Sequence, residues 1–189
     1  HLTPFVHLKW SYGEYTSDEL KLNMVGKYNF YNYLAAIAFG VQFEVDVMTI
    51  SKALQGYIPS NNRSQIKETG NNTLIMDCYN ANPSSTKLAL ESFALIDHSD
   101  KIFILGDMKE LGNSESIEHQ NILALAEQYN LSGYTVGSEY GKIKSSAVLQ
   151  NFEDAEAASL FLEQTHITGK LILLKGSRSI GLEVLESVL

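Results

Sequence analysis

The sequence predicts an α/β protein: an open, mostly parallel sheet with helices on both faces, preceded by a short remnant of a second α/β domain. Three observations carry that reading. Short apolar runs at 74–78, 102–105, 134–136 and 171–174 alternate with longer amphipathic segments, the pattern of strands buried between helical layers. The polar, turn-rich link Pro59-Ser60-Asn61-Asn62-Arg63 separates this regular part from a less regular beginning, so residues 1–59 and 60–189 read as two units. Finally, the carboxyl ends of the strand candidates carry polar and charged residues, where an open sheet of this class binds its ligands.

Taken in order, the chain opens on alternating pieces such as Phe5-Val6-His7-Leu8-Lys9-Trp10. These read as edge strands joined by Ser11-Tyr12-Gly13, too few for a stable sheet of their own, and so as the tail of something larger. Gly26-Lys27-Tyr28-Asn29-Phe30-Tyr31-Asn32 leads into a helix to about residue 39, with Leu34, Ile37, Ala38 and Val41 on one face. Asn29, Asn32 and Ala36 fall on the opposite face. On spacing alone these two amides fit a helix cap and a solvated side chain better than a planar ligand. A shorter helix follows at 47–54, begun by Asp46 and ended by Gly56.

Beyond the link, Thr73-Leu74-Ile75-Met76 runs into Asp77-Cys78-Tyr79-Asn80-Ala81-Asn82-Pro83-Ser84-Ser85. Pro83 suits the first helical position and Asn82 the N-cap. The helix at 84–96 has Ala89, Leu90, Phe93 and Ile96 on one face, and the N–H groups of Ser84 and Ser85 at its start offer an anion site. By itself this corner reads first as a well-capped turn. The helix at 114–129 places Ile122, Leu125, Ala126 and Tyr129 on one face, with Glu115 and Glu118 in its first turn. Helices at 140–146, at 154–164 and after Gly176 complete the alternation. The strand ends then carry Asp77 and Asn80, Gly106-Asp107-Met108-Lys109, Gly137, and Lys175-Gly176-Ser177-Arg178. That convergence turns Asp77 into a site candidate. A glycine after a strand permits close backbone approach, and Arg178 can hold a carboxylate or phosphate bidentately, although a plain strand-to-helix turn has the same spacing.

Composition removes other classes. A net charge of −8 and a pI near 5.1 argue against nucleic acid or an anionic membrane as the main partner. The single cysteine, Cys78, excludes an internal disulfide and fits a reducing compartment. There is no apolar run long enough to span a bilayer and no signal-peptide pattern. Neither G-x-G-x-x-G nor G-x-x-x-x-G-K-[ST] occurs. Gly137-Ser138-Glu139-Tyr140-Gly141-Lys142-Ile143 comes nearest the second, but it is one residue short and lacks the hydroxyl that would hold magnesium. His98, His119 and His166 are scattered without metal spacing and read as surface or capping residues.

Five motifs in order resemble one family: Gly26-Lys27-Tyr28-Asn29-Phe30-Tyr31-Asn32-Tyr33-Leu34-Ala35-Ala36, Asn62-Arg63-Ser64-Gln65, Asp77 through Ser85, Gly106-Asp107-Met108-Lys109-Glu110-Leu111-Gly112, and Lys175-Gly176-Ser177-Arg178. From about Gly26 to the end the chain resembles the C-terminal part of the Mur ligases of peptidoglycan synthesis. The Tyr-Asn-Ala-Asn-Pro and Gly-Asp-Met-x-Glu-Leu-Gly forms point to their dipeptide-adding member. The resemblance implies a three-domain cytoplasmic enzyme in which ATP and magnesium activate the carboxylate of a UDP-MurNAc-tripeptide and the amine of D-alanyl-D-alanine attacks it. Residues 1–59 would then end the central ATPase domain and 60–189 form the Rossmann-like acceptor domain. On the nucleotide side the resemblance implies Asn29 and Asn32 near the adenine, Arg63 at the phosphates, and Asp77 at the ribose with Tyr79 and Asn80 beside it. On the acceptor side it implies Asp107, Lys175, Ser177 and Arg178. The P-loop lysine, the magnesium ligands and the UDP-sugar domain are expected outside this chain, which would leave it inactive alone. Two other readings stand beside this one: a stand-alone nucleotide- or peptide-binding module, and another ligase of the superfamily such as a folylpolyglutamate synthase-like enzyme.

Overall fold

The computed structural model describes residues 5–189, so the first four residues of the N-terminal unit lie outside the described residues. The sheet that organises the molecule has six strands in the order β5-β6-β10-β7-β8-β9. These are β5 (Gln65–Glu68), β6 (Thr73–Met76), β7 (Lys101–Gly106), β8 (Gly133–Val136), β9 (Val148–Phe152) and β10 (Leu171–Lys175). All neighbours run parallel except the edge strand β5, which is antiparallel to β6. The last strand lies at the centre, with Leu173 opposite Ile75 on one side and Phe103 on the other. Every residue of β10 is buried, as expected of a strand covered on both faces.

The period-two alternation sorts the sheet's apolar side chains between two cores. Ile75, Phe103, Leu105 and Leu173 pack against α3 (Pro83–Ala94) and α4 (Glu115–Gln128), through Leu90, Phe93, Leu123 and Ala126. Leu74, Met76, Ile104, Ile172 and Leu174 face the other way, against α6 (Ala155–Thr165) and the C-terminal segment, through Ala158, Leu162 and Leu185. A mostly parallel sheet covered by helices on both faces is therefore the observed class.

The N-terminal part holds two small ladders, β1 (Phe5–Leu8) with β4 (Leu20–Val25) and β2 (Ser11–Tyr12) with β3 (Tyr15–Thr16). These pack on α1 (Asn29–Gln42) and α2 (Val47–Gly56) around Trp10, Leu22, Tyr33, Ile37 and Ile50. Asp46 caps α2 as expected, accepting the Thr49 N–H at 3.0 Å.

Several elements differ from the sequence expectation. Strands β5 and β9 lie at the two sheet edges, where Gln65, Lys67 and Glu68 or Gln150 and Asn151 supply no apolar run to recognise. The helix expected at 140–146 is the single turn α5 (Ser138–Gly141). The helix expected after Gly176 is a pair of 3-10 turns, Arg178–Ile180 and Leu182–Ser187, parted by Gly181 at φ +72°. That left-handed conformation interrupts helical hydrogen bonding.

Candidate functional site

Asp77 leaves the end of β6 with its N–H still bonded to the Leu174 carbonyl, so the sheet itself fixes where the carboxylate begins. One carboxylate oxygen accepts the Ser64 N–H at 3.0 Å, and the other lies 3.0 Å from Lys175 Nζ. Lys175 ends the neighbouring strand and is only 3% exposed. Its ammonium also donates to the carbonyls of Asp77 at 3.3 Å and Asn80 at 2.9 Å. Its three donors are thus consumed by the 77–80 loop. From the N-terminal part, the Tyr28 hydroxyl reaches Ser64 Oγ at 2.9 Å and Asp77 at 3.5 Å. Burial, and then the Asp77 charge beside it, raise the Tyr28 phenol well above its ordinary value, so it stays a neutral donor.

A cavity of about 710 Å³ opens beside this network, in the size range of small-molecule sites. The N-terminal part contributes Asn32, Ala36 and Tyr57 to its walls, and the sheet part contributes Arg63, Asp77, Tyr79 and Asn80. Asn29, expected to face a ligand, borders the same cavity but is only 1% exposed. Its amide donates to the Val25 carbonyl at 2.6 Å and its oxygen accepts from Asn32 at 2.9 Å. It therefore braces Asn32, which lines the cavity beside it. The start of α3 also departs from expectation. Asn82 and Ser85 form a reciprocal capping box in which the Ser85 N–H is already bonded to Asn82 at 2.8 Å. The expected anion site at Ser84 and Ser85 is thereby reduced to the Ser84 N–H.

A second cavity, of about 450 Å³, lies on the other side of the same loop and is lined by Tyr79, Asn80, Lys109, Glu110, Ser177, Arg178 and Ser179. Tyr79 and Asn80 are the wall common to both. Of the four residues expected on the acceptor side, Ser177 and Arg178 line this cavity and two do not. Lys175 sits with Asp77 against the first cavity. Asp107 is fully buried and accepts the N–H groups of Glu139 and Tyr140, each at 3.1 Å, and Lys109 Nζ at 3.1 Å. It caps the α5 turn, and Gly137 is what lets it do so: at φ +121°, a Cβ there would lie 2.3 Å from the carboxylate carbon. The acceptors of this enclosed carboxylate are taken up by its own protein, so the structure places Asp107 as the cap of α5 rather than on the wall of the second cavity. The Ser177 hydroxyl, 5% exposed at residue level, accepts the Lys109 N–H at 2.9 Å and ties the two loops together.

The structure gives three residues places that the sequence reading did not assign them. Lys109 and Glu110 add a cation and an anion to the second cavity. His119 is fully buried rather than a surface residue. Its Nε2 accepts the Met108 N–H at 2.9 Å and its Nδ1 donates to the Glu115 carbonyl at 2.6 Å, which fixes a neutral imidazole under the 106–109 loop. A signal was present: His119 lies one turn before Ile122 and Leu123 and two before Ala126, on the buried face of α4.

Known proteins show the same arrangement of elements. Residues 62–178 match the family model described as "Mur ligase, glutamate ligase domain". The UDP-N-acetylmuramoyl-tripeptide--D-alanyl-D-alanine ligase of Treponema pallidum is 30% identical over 183 residues, spanning 93% of this chain and 40% of that relative. A crystal structure of MurF from Acinetobacter baumannii superposes with a TM-score of 0.84 at 28% identity, over 99% of this chain and 43% of that one. The MurF ligase of Thermotoga maritima in complex with ADP shares the fold at a TM-score of 0.78 and 21% identity, over 98% of this chain and 45% of that one. The chain thus spans about 40% of the length of the curated relatives it matches. Because the family match covers more than half of the residues and includes the loop of the shared wall, this chain belongs to the Mur ligase family.

Proposed function

We propose that the chain is the C-terminal part of an ATP-dependent ligase that joins D-alanyl-D-alanine to a UDP-MurNAc-tripeptide during peptidoglycan precursor synthesis. The observation that carries the reading is the pair of cavities separated by the Tyr79–Asn80 wall, each with an arginine at its edge. In this reading the larger cavity takes the nucleotide. Asp77 holds the ribose, Asn32 braced by Asn29 meets the base, and Arg63 meets the phosphates. The smaller cavity takes the dipeptide, with Arg178 and Lys109 on its carboxylate and Ser177 holding the loops in place. Nucleotide and acceptor then approach from two sides of one loop, so that the dipeptide amine meets a carboxylate activated by phosphoryl transfer near Tyr79.

The same reading assigns residues 1–59 to the end of a central ATPase domain, 60–189 to the acceptor domain, and the enzyme to the cytoplasm, where ATP is available. Among the described residues no group of three His, Cys, Asp or Glu could hold a metal, and the reading expects the magnesium ligands outside this chain. No step is assigned to magnesium in this chain. A stand-alone binding module is less well supported, because the relatives matched over most of this chain carry the dipeptide-adding name.

Calorimetric titration tests the reading. With half of a nucleotide site, the chain should bind ATP with a dissociation constant on the order of millimolar, roughly −4 kcal/mol. It should release no phosphate from ATP above background, with or without D-alanyl-D-alanine. Submicromolar ATP binding, or phosphate release that survives repurification, would contradict the proposal and favour the stand-alone module.

A further inference from the structure

The sequence contains only two arginines, Arg63 and Arg178, which lie 115 positions apart. Both guanidinium groups lie over the ring of the same residue, Tyr79, at 3.8 Å and 5.5 Å from its centroid. Neither has a carboxylate within ion-pair distance among the described residues, although the protein carries a net charge of −8. Two like charges on one ring repel each other, and a bound anion at either would relieve that repulsion. The backbone that carries the ring is itself held on both sides. The Tyr79 N–H donates to the Asn62 carbonyl at 3.2 Å, next to Arg63, and the carbonyl of the following residue, Asn80, accepts from Lys175. Asn62 and Ser64, on either side of Arg63, both adopt left-handed backbone conformations, at φ +51° and +49°, so the link is shaped to bring Arg63 to the ring. Tyr79 lines both cavities, and no hydrogen bond of its hydroxyl to the described residues is found.

From this geometry we infer that Tyr79 is a positioning residue for both halves of the site. Its aromatic face holds Arg63 toward the nucleotide cavity and Arg178 toward the acceptor cavity. The inference rests on the ligase reading above and adds to it a residue that serves both substrates through other side chains. Arginine has several rotatable bonds, and a guanidinium already stacked loses less freedom when an anion arrives. A cation held on a half-buried ring gains modestly, and losing that hold should weaken anion binding by about two- to fivefold at each cavity.

The test uses the 189-residue chain labelled at arginine for NMR, with Arg63→Lys and Arg178→Lys to assign the two sets of signals. In the parent chain both arginines should show ring-current-shifted side-chain resonances. Tyr79→Leu should abolish both shifts while the remaining amide spectrum and the melting temperature show a folded chain, and Tyr79→Phe should restore them. In titrations with ADP and with D-alanyl-D-alanine, Tyr79→Leu should weaken both ligands and Tyr79→Phe should recover both. Normal arginine shifts in the parent, or loss of binding for one ligand only, would overturn the shared platform. Ring-current shifts that are present while neither ligand binds the parent chain would overturn the ligase reading on which the role rests. The two failures are therefore distinct.

Discussion

Lys175 brings an ammonium to the end of the central strand and surrounds it with oxygens from Asp77 and Asn80 at 2.9 to 3.3 Å. Its charge was legible in the sequence, but its partner was not. Only the insertion of β10 next to β6 places it on Asp77 rather than in the acceptor cavity. Removing one member of a buried pair strands the other. Lys175→Met should therefore cost about 3 kcal/mol, the lower end of the range for buried pairs because Asp77 keeps its Ser64 bonds and some solvent. For a chain of this length that is a fall of roughly 6–12 °C in melting temperature. The double variant with Asp77→Asn should cost less than the two single changes combined, measured by denaturant unfolding. Cys78, the neighbour of Asp77, gives a pH prediction. Burial, followed by the Glu183 and Asp77 charges, pushes its thiol up from 9.0 to about 12. The unfolded thiol ionises near 9 and the folded one near 12. Its contribution to stability is thus complete below pH 9 and is lost as pH rises from 9 toward 12. Cys78→Ala should flatten the fall of melting temperature across that window. Rapid alkylation of native Cys78 at pH 8 would contradict it.

At the scale of elements, the parts read correctly from sequence were those with an apolar signature. The buried strands and the amphipathic helices α3, α4 and α6 lie where their periodicity put them. Strands β5 and β9 were missed because edge strands keep polar side chains. Of the loops, the 77–85 corner was legible because Asn82 and Pro83 are chemically committed to starting a helix. The capping contacts of Asp107 were not legible because its partners, the N–H groups of α5, come from 32 and 33 residues away. The α3 cap gives a direct element-level test. Asn82→Ala removes one half of the capping box and should cost about 1 kcal/mol, lowering the melting temperature by roughly 2–4 °C. No loss of stability would mean that the box is not formed in solution. Leu173, on the central strand and 1% exposed, should be far less tolerant. Leu173→Ala should cost about 2–5 kcal/mol by chemical denaturation.

At the scale of the molecule, the strand order explains why residues far apart in sequence meet. With β10 between β6 and β7, the 77–80, 106–109 and 175–178 segments emerge side by side at one end of the sheet. The link at 59–64 folds back over them, bringing Arg63 and Ser64 to Asp77 and Tyr79. That assembly was only half visible in the sequence. The strand ends could be listed, but the division into two cavities sharing one wall depends on the sheet order. The central claim is this division, with nucleotide on one side and dipeptide on the other. Residue-resolved NMR mapping with each ligand in turn tests it most directly. ADP should shift the amides of Asn32, Ser64 and Asp77, D-alanyl-D-alanine those of Lys109, Glu110 and Ser179, and both those of Tyr79 and Asn80, without either ligand displacing the other. If the dipeptide instead perturbs the Asn32–Asp77 side, or competes with ADP for it, the two ligands share one cavity and the account is wrong.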